Sequence, residues 1–170
     1  MSDWMKNSIP ILCFVGRSNS GKTTLIERLI QALTESGYRI AAIKHAGHGF
    51  DLDTEGKDSW RHKRAGAQTV IVQSKTSLAL FANTESSLPL TTIRDQYVSN
   101  VDLIIAEGWK SDHYQKIVVV LDHFGEIDIL NKGLLAIVSR NPVETSVPVL
   151  HPDDISALTS LVRKHFPISK

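Results

Sequence analysis

Eight residues near the start of the chain, Gly16-Arg17-Ser18-Asn19-Ser20-Gly21-Lys22-Thr23, match the spacing G-x-x-x-x-G-K-[ST] at every fixed position. A loop that holds a polyphosphate needs these residue types. Gly16 and Gly21 let the backbone approach a ligand closely, and successive N–H groups then converge on an anion. The helix that follows adds the positive end of its dipole. Lys22 supplies an ammonium for the outer phosphates, the Thr23 hydroxyl can ligate magnesium, and Thr24 completes the cradle. The context agrees. Residues 9–15 are apolar and rich in strand formers, and in residues 22–36 Leu25, Ile26, Leu29, Ile30 and Leu33 recur at helical spacing. Strand, loop and helix in that order are what a phosphate-binding loop (P-loop) requires, and the dinucleotide fingerprint G-x-G-x-x-G is absent from the segment.

The rest of the chain alternates strand-like and helix-like stretches, which predicts an α/β fold with a largely parallel central sheet flanked by helices. Strands are expected at residues 9–15, 38–43, 101–106, 116–121 and 134–138, and helices at 22–36, 58–65 and 91–98. Residues 69–73 and 77–81 are strand-like and separated by only Ser74-Lys75-Thr76, which predicts an antiparallel hairpin because a parallel crossover needs more chain. A last helix is expected from Pro152, with Asp153 and Asp154 complementing its dipole. No Pro/Gly/Ser-rich linker interrupts the 170 residues, so one P-loop domain is expected over 1–170.

Composition narrows the function classes. Nineteen basic against eighteen acidic side chains leave a formal charge of +1, which gives no bulk electrostatic case for nucleic acid or an anionic membrane as partner. The lone Cys13 forms no bridge within the chain and builds no Cys-rich zinc site. The longest apolar runs, such as 117–121 and 134–138, fall far short of the ~18 residues of a membrane helix. With no signal-peptide pattern at residues 1–8, a cytoplasmic location is expected.

A magnesium–nucleotide site also needs a carboxylate at the end of a neighbouring strand. Asp102 opens the strand at 101–106 and Glu107 closes it, ~16 Å apart at ~3.3 Å per residue. Parallel strands present their C-terminal ends to the ligand, so Glu107 is the candidate. The loop after the second strand, residues 44–53, lies at the same sheet edge. Its Asp51 and Asp53 can hold magnesium or orient an attacking water, and His45 and His48 can bind a transition metal or move a proton, although their spacing matches no closed zinc pattern. The plainer reading is a polar, Gly-rich, solvated loop. Lys57, Arg61 and Arg64 in the basic segment that follows can engage a second phosphate ligand or simply form a solvated helix face.

Five stretches carry a more specific signal when taken together: G-R-S-N-S-G-K-T-T-L-I at 16–26, I-K-H at 43–45, D-L-D-T-E-G-K-D-S at 51–59, R-A-G-A at 64–67 and D-L-I-I-A-E-G-W-K at 102–110. In this set and order the chain closely resembles the molybdopterin-guanine dinucleotide biosynthesis adaptor proteins, the B-protein family of that pathway. The resemblance implies a P-loop NTPase fold, related to dethiobiotin synthetase and the nickel-chaperone GTPases, that binds GTP and hydrolyses it slowly. It implies a helper role beside the guanylyltransferase that joins GMP to molybdopterin, and an intertwined homodimer for which the hairpin at 69–81 is the candidate element of exchange. In that setting Thr23, Glu107 and one of Asp51 or Asp53 hold magnesium and its waters, and Lys44, His45, Lys57 and Arg61 are the candidates for a pterin phosphate. Guanine preference rests on the resemblance alone. Asn131-Lys132-Gly133-Leu134 lacks the Asp of N-K-x-D, and Ser139-Arg140-Asn141-Pro142 carries no acid. A small-molecule kinase and a metallochaperone GTPase share the same cradle and remain the alternatives.

Overall fold

In the computed structural model, which describes residues 8–47, 49–50, 53–110, 113–120 and 132–168, the elements in chain order are β1 (Ile11–Val15), α1 (Lys22–Glu35), β2 (Ile40–Lys44), α2 (Asp58–Arg64), β3 (Thr69–Gln73), β4 (Leu78–Ala82), α3 (Leu90–Tyr97), β5 (Leu103–Glu107), β6 (Gln115–Val120), β7 (Leu134–Ser139), β8 (Val149–Leu150) and α4 (Ile155–His165). They group into two compact units. One combines Met1–His45 with Val98–Lys170, and the other is Ala46–Tyr97. No composition shift announces this division. The second unit is simply the chain between β2 and β5.

The first unit is built on a six-stranded sheet in the order β2-β5-β1-β6-β7-β8, parallel at every pairing. Its central strands are apolar along most of their length, as buried parallel strands are, with polar residues such as Glu107, Gln115 and Ser139 at their ends. From β1 the chain runs to β2 on one side and later to β6, β7 and β8 on the other. β1 thus lies at a switch point, where α/β sheets form their ligand crevice. On one face Leu12, Phe14, Leu103, Ile105, Ile117, Val119, Ala136 and Val138 pack with Leu25, Leu29 and Leu33 of α1 and with Leu158 and Val162 of α4. Leu29 and Leu33 are wholly excluded from water, each worth about 1.5–3 kcal/mol of burial.

α4 begins at Ile155, not at Pro152 as the sequence suggested. The Asp154 side chain accepts from the Ala157 N–H at 2.9 Å and so caps the helix. Pro152 stays outside, where its carbonyl accepts from Arg28. The two-residue β8 was not expected. It lies between Pro148 and Pro152 and extends the sheet through only two residue pairs.

In the second unit β3 and β4 form the expected antiparallel hairpin, in register from Thr69 opposite Ala82 to Gln73 opposite Leu78. β4 starts one residue later than anticipated because Ser77 belongs to the turn. Its carbonyl accepts from the Ser74 N–H, and its own N–H donates to Ser74 Oγ. Among the described residues no helix is long and apolar enough to cross a membrane.

Candidate functional site

The register of the parallel strands places the candidate groups. Phe14 lies opposite Glu107, and Lys44 lies opposite Glu107 from the other side. The ends of β1, β2 and β5 therefore reach one sheet edge together, the edge from which the Gly16–Thr23 loop emerges. Asp102, at the opposite end of the same chain segment, has a different role. Its carboxylate accepts from the Arg39 backbone N–H at 2.9 Å and is gripped by the guanidinium at 2.7 and 3.0 Å. These hydrogen bonds hold its pKa down at about 2.

The loop is shaped by backbone sterics. A Cβ on Gly16 would run into the Val119 carbonyl oxygen of β6, so only glycine fits there. Asn19 at φ 61° and Gly21 at φ 73° have positive φ, whereas Ser18 and Ser20 beside them do not. Such alternation turns successive N–H groups to one side and makes an anion-binding concavity. Lys22 opens α1 and is buried. Its ammonium donates to the carbonyls of Gly16 at 3.2 Å and Arg17 at 2.5 Å and to Ser20 Oγ at 3.3 Å, so it lies over the loop. Burial is the main cause of its lowered pKa. The Glu107 charge opposes that shift, and Lys110 and Lys44 add to it. Arg17, Ser18, Thr23 and Thr24 are exposed.

Glu107 joins the pieces. Thr23 Oγ1 donates to Glu107 Oε2 at 3.4 Å, and Lys44 Nζ lies 3.5 Å from the same oxygen. A hydroxyl and a carboxylate oxygen this close are the hard donors that magnesium takes when waters and phosphates fill its other positions. Gly108 makes this turn possible. At φ 121° a Cβ there would come within 2.9 Å of His45 Cβ. His45 in turn donates its backbone N–H to the Glu107 carbonyl at 3.0 Å, and its ring lies 5.3 Å from that of Trp109, itself at φ 55°.

One unit thus brings together Gly16 to Thr24, Lys44, His45 and Glu107. Sequence reasoning quoted Trp109 and Lys110 within the stretch at 102–110 but gave them no role at the site. The signal was available, because both follow Glu107 directly in the strand-end turn that had already been singled out. Asp51 and His48 lie outside the described residues, as does Asn131. Asp53, Lys57 and Arg61 belong to the other unit. There Asp53 Oδ1 accepts from the Thr54 N–H at 2.9 Å and the Ser59 hydroxyl at 3.0 Å. Lys57 is the N-cap of α2, and Arg61 makes a long, exposed 3.9 Å pair with Asp58, a contact of little energetic weight. Among the described residues no group of three or more His, Cys, Asp or Glu side chains is arranged to hold a metal ion.

Residues 11–140 match the family model for molybdopterin guanine dinucleotide synthesis protein B. A molybdopterin-guanine dinucleotide biosynthesis adapter protein of Escherichia coli (strain K12) is 37% identical over 163 residues, 92% of this chain and 93% of that protein. A counterpart from Haemophilus influenzae is 32% identical over 94% of this chain and 90% of its own length. Among solved structures, the crystal structure of Bacillus subtilis MobB has a TM-score of 0.75 at 31% identity, covering 94% of this chain and 99% of that one. A crystal structure of molybdopterin-guanine biosynthesis protein B also scores 0.75, at 29% identity over 93% of this chain.

Proposed function

The chain belongs to the molybdopterin guanine dinucleotide synthesis protein B family, and on that premise we propose that it binds magnesium–GTP in the Gly16–Thr24 cradle, hydrolyses it slowly, and assists the guanylyltransferase that attaches GMP to molybdopterin. The observation that carries this reading is the meeting of Thr23 Oγ1 and Glu107 Oε2 at 3.4 Å beside the buried Lys22. Thr23 and Glu107 hold the metal, which neutralises charge on the outer phosphates when bound. Asp53 is not part of this pair: it belongs to the unit Ala46–Tyr97, where its Oδ1 accepts from Thr54 and Ser59.

On nucleotide entry, phosphate oxygens replace the Gly16 and Arg17 carbonyls as acceptors of the Lys22 ammonium. The loop N–H groups bind the phosphates between Lys22 and the sheet edge. Lys44 and Lys110 add positive charge on the side of Glu107. Arg17 contributes a carbonyl to Lys22 while its own side chain is exposed. With no guanidinium of this loop held against the phosphates, developing transition-state charge is poorly stabilised. Slow turnover follows.

The adaptor reading also places the protein in the cytoplasm as a homodimer. The support for a dimer is the β3–β4 hairpin, whose Ile71 and Leu78 are 58% and 64% exposed. Large apolar side chains on a two-stranded ribbon suit coverage by a second copy. Displacement of labelled GTP tests the base preference. Excess GTP is expected to compete at least about tenfold better than ATP in the presence of magnesium, as hydrogen-bonded recognition allows. Equal competition would remove the guanine assignment while leaving the cradle.

A further inference from the structure

Two groups converge on one oxygen of Glu107. Thr23 Oγ1 donates to Oε2 at 3.4 Å, and the Lys44 ammonium lies 3.5 Å from the same atom. The second contact is built into the sheet. Lys44 ends β2 and stands directly opposite Glu107, the last residue of β5. Neighbouring strands lie only ~4.8 Å apart, and residues directly opposite each other share a face. Strand register therefore brings this cation to the carboxylate, unlike the partner in a chance surface pair. The two side chains differ in freedom. Glu107 is 17% exposed, whereas Lys44 is 63% exposed on a long, rotatable stem. Lys44 is the member of the pair that can leave.

The surroundings are positive. The charges of Glu107, Lys110 and Lys44 all act on the Lys22 ammonium, so among these described residues three cations share one carboxylate. A free divalent cation entering here meets repulsion. It also competes for the oxygen that Lys44 contacts. An ion held on Oε2 at ~2.0–2.1 Å would lie within about 6 Å of an ammonium in the position of Lys44. A polyphosphate reverses both conditions. Its negative charge offsets the lysines, and its oxygens offer the Lys44 ammonium another anionic acceptor.

We propose that Lys44 stands in for the divalent cation on Glu107 Oε2 and gives up that oxygen only when a polyphosphate accepts its ammonium. Metal binding is thereby conditional on nucleotide, and free magnesium does not fill the site. This role rests on the reading of Gly16–Thr24 and Glu107 as a magnesium–nucleotide site. It adds a coupling between metal and phosphate that the loop by itself does not supply.

The test uses the full chain and follows manganese, a magnesium substitute, through the electron paramagnetic resonance signal of the free ion. Without nucleotide, wild-type protein is expected to bind manganese weakly and Lys44→Gln at least about tenfold more tightly. Lys44→Arg keeps the cation and should stay near wild type. Lys44→Gln/Glu107→Gln should lose the gain, because the oxygen set free is that of Glu107. In EDTA, calorimetry should show GTP binding Lys44→Gln at least about tenfold more weakly than wild type, since one charge-assisted phosphate contact is gone. A merely structural role would weaken both ligands instead of moving them in opposite directions. Manganese binding no tighter in Lys44→Gln, a gain that survives in the double variant, or GTP affinity unchanged in EDTA would overturn the role of Lys44. Those results alongside normal magnesium–GTP binding by the wild type would confine the failure to Lys44. Wild-type protein that binds no magnesium–GTP would refute the site itself, and the role of Lys44 with it.

Discussion

Replacing Gly108 by alanine tests whether backbone sterics hold Glu107 in place. Two costs combine at this position. A non-glycine residue at φ 121° is strained, by about 1–3 kcal/mol. The new methyl also comes within 2.9 Å of His45 Cβ, well inside the ~3.5–4.0 Å at which carbon atoms attract. Relief requires His45 to move, and its N–H hydrogen bond to Glu107 and its contact with Trp109 oppose that. Overpacking of this kind costs about 1–3 kcal/mol. Together these give a loss near 4 kcal/mol. At ~2–4 °C per kcal/mol for a chain of this size, the melting temperature falls by about 8–16 °C. Gly37→Ala is the internal control. It lies in the same unit and has φ 91°, but nothing stands within 4 Å of its Cβ position. It incurs strain alone and should lose about half as much or less. Thermal and urea unfolding followed by circular dichroism and tryptophan fluorescence measure both. A Gly108→Ala protein as stable as Gly37→Ala would refute the claim that close approach to His45 dictates glycine after Glu107.

Two further expectations concern charge. Because the folded pKa of Asp102 is depressed to about 2, against about 3.9 when unfolded, its contribution is complete above pH ~4 and is lost as pH falls through ~2. Arg39→Ala should therefore be slightly less stable than wild type at neutral pH, the margin being small because so exposed a pair is screened by solvent. The difference should shrink between pH 4 and 2 in acid-unfolding curves. A gap that stayed constant over that interval would show that the guanidinium is not what depresses Asp102. At the site, burial pushes the Lys22 pKa below 10.5 while Glu107 pushes it back up. Magnesium–GTP affinity should decline as pH rises toward that value. In Glu107→Gln the decline should begin at lower pH, alongside an affinity about 10–100-fold weaker in magnesium but little changed in EDTA. Equal magnesium dependence in variant and wild type would remove Glu107 from the metal.

What could be read from the residues depended on how local the determining physics was. The P-loop and α1 were legible because a glycine-framed loop between an apolar strand and an amphipathic helix satisfies several constraints within twenty residues. Glu107 was chosen over Asp102 from strand direction alone, and the parallel pairing of β1 with β5 places it beside Thr23. The hairpin was legible because three intervening residues leave no room for a crossover. Other features depended on contacts distant in sequence. Pro152 and Asp154 both mark helix starts, and the hydrogen bond to Ala157 together with Arg28 holding Pro152 decides between them. The two-residue β8 has no periodicity to read. A cavity in the unit Ala46–Tyr97 assembles side chains from residue 50 to residue 83, and no spacing rule links Asp53 to Phe81. The separate unit itself was hidden because the polar loop after β2 reads as a surface excursion, not a boundary.

The central claim is that backbone amides after β1, Lys22 and the Thr23–Glu107 pair form one site for a magnesium-bound triphosphate. Titration of magnesium–GTP into the intact protein and into Lys22→Ala, by calorimetry with and without EDTA, tests it most directly. Saturable, magnesium-dependent binding is expected in the wild type. Loss of at least two charge-assisted hydrogen bonds at about 1.5–3 kcal/mol each should weaken it by at least about 100-fold in the variant, with the melting curve retained. Wild-type protein that gives no saturable heat, or a Lys22→Ala variant that binds magnesium–GTP as tightly as wild type, would contradict it.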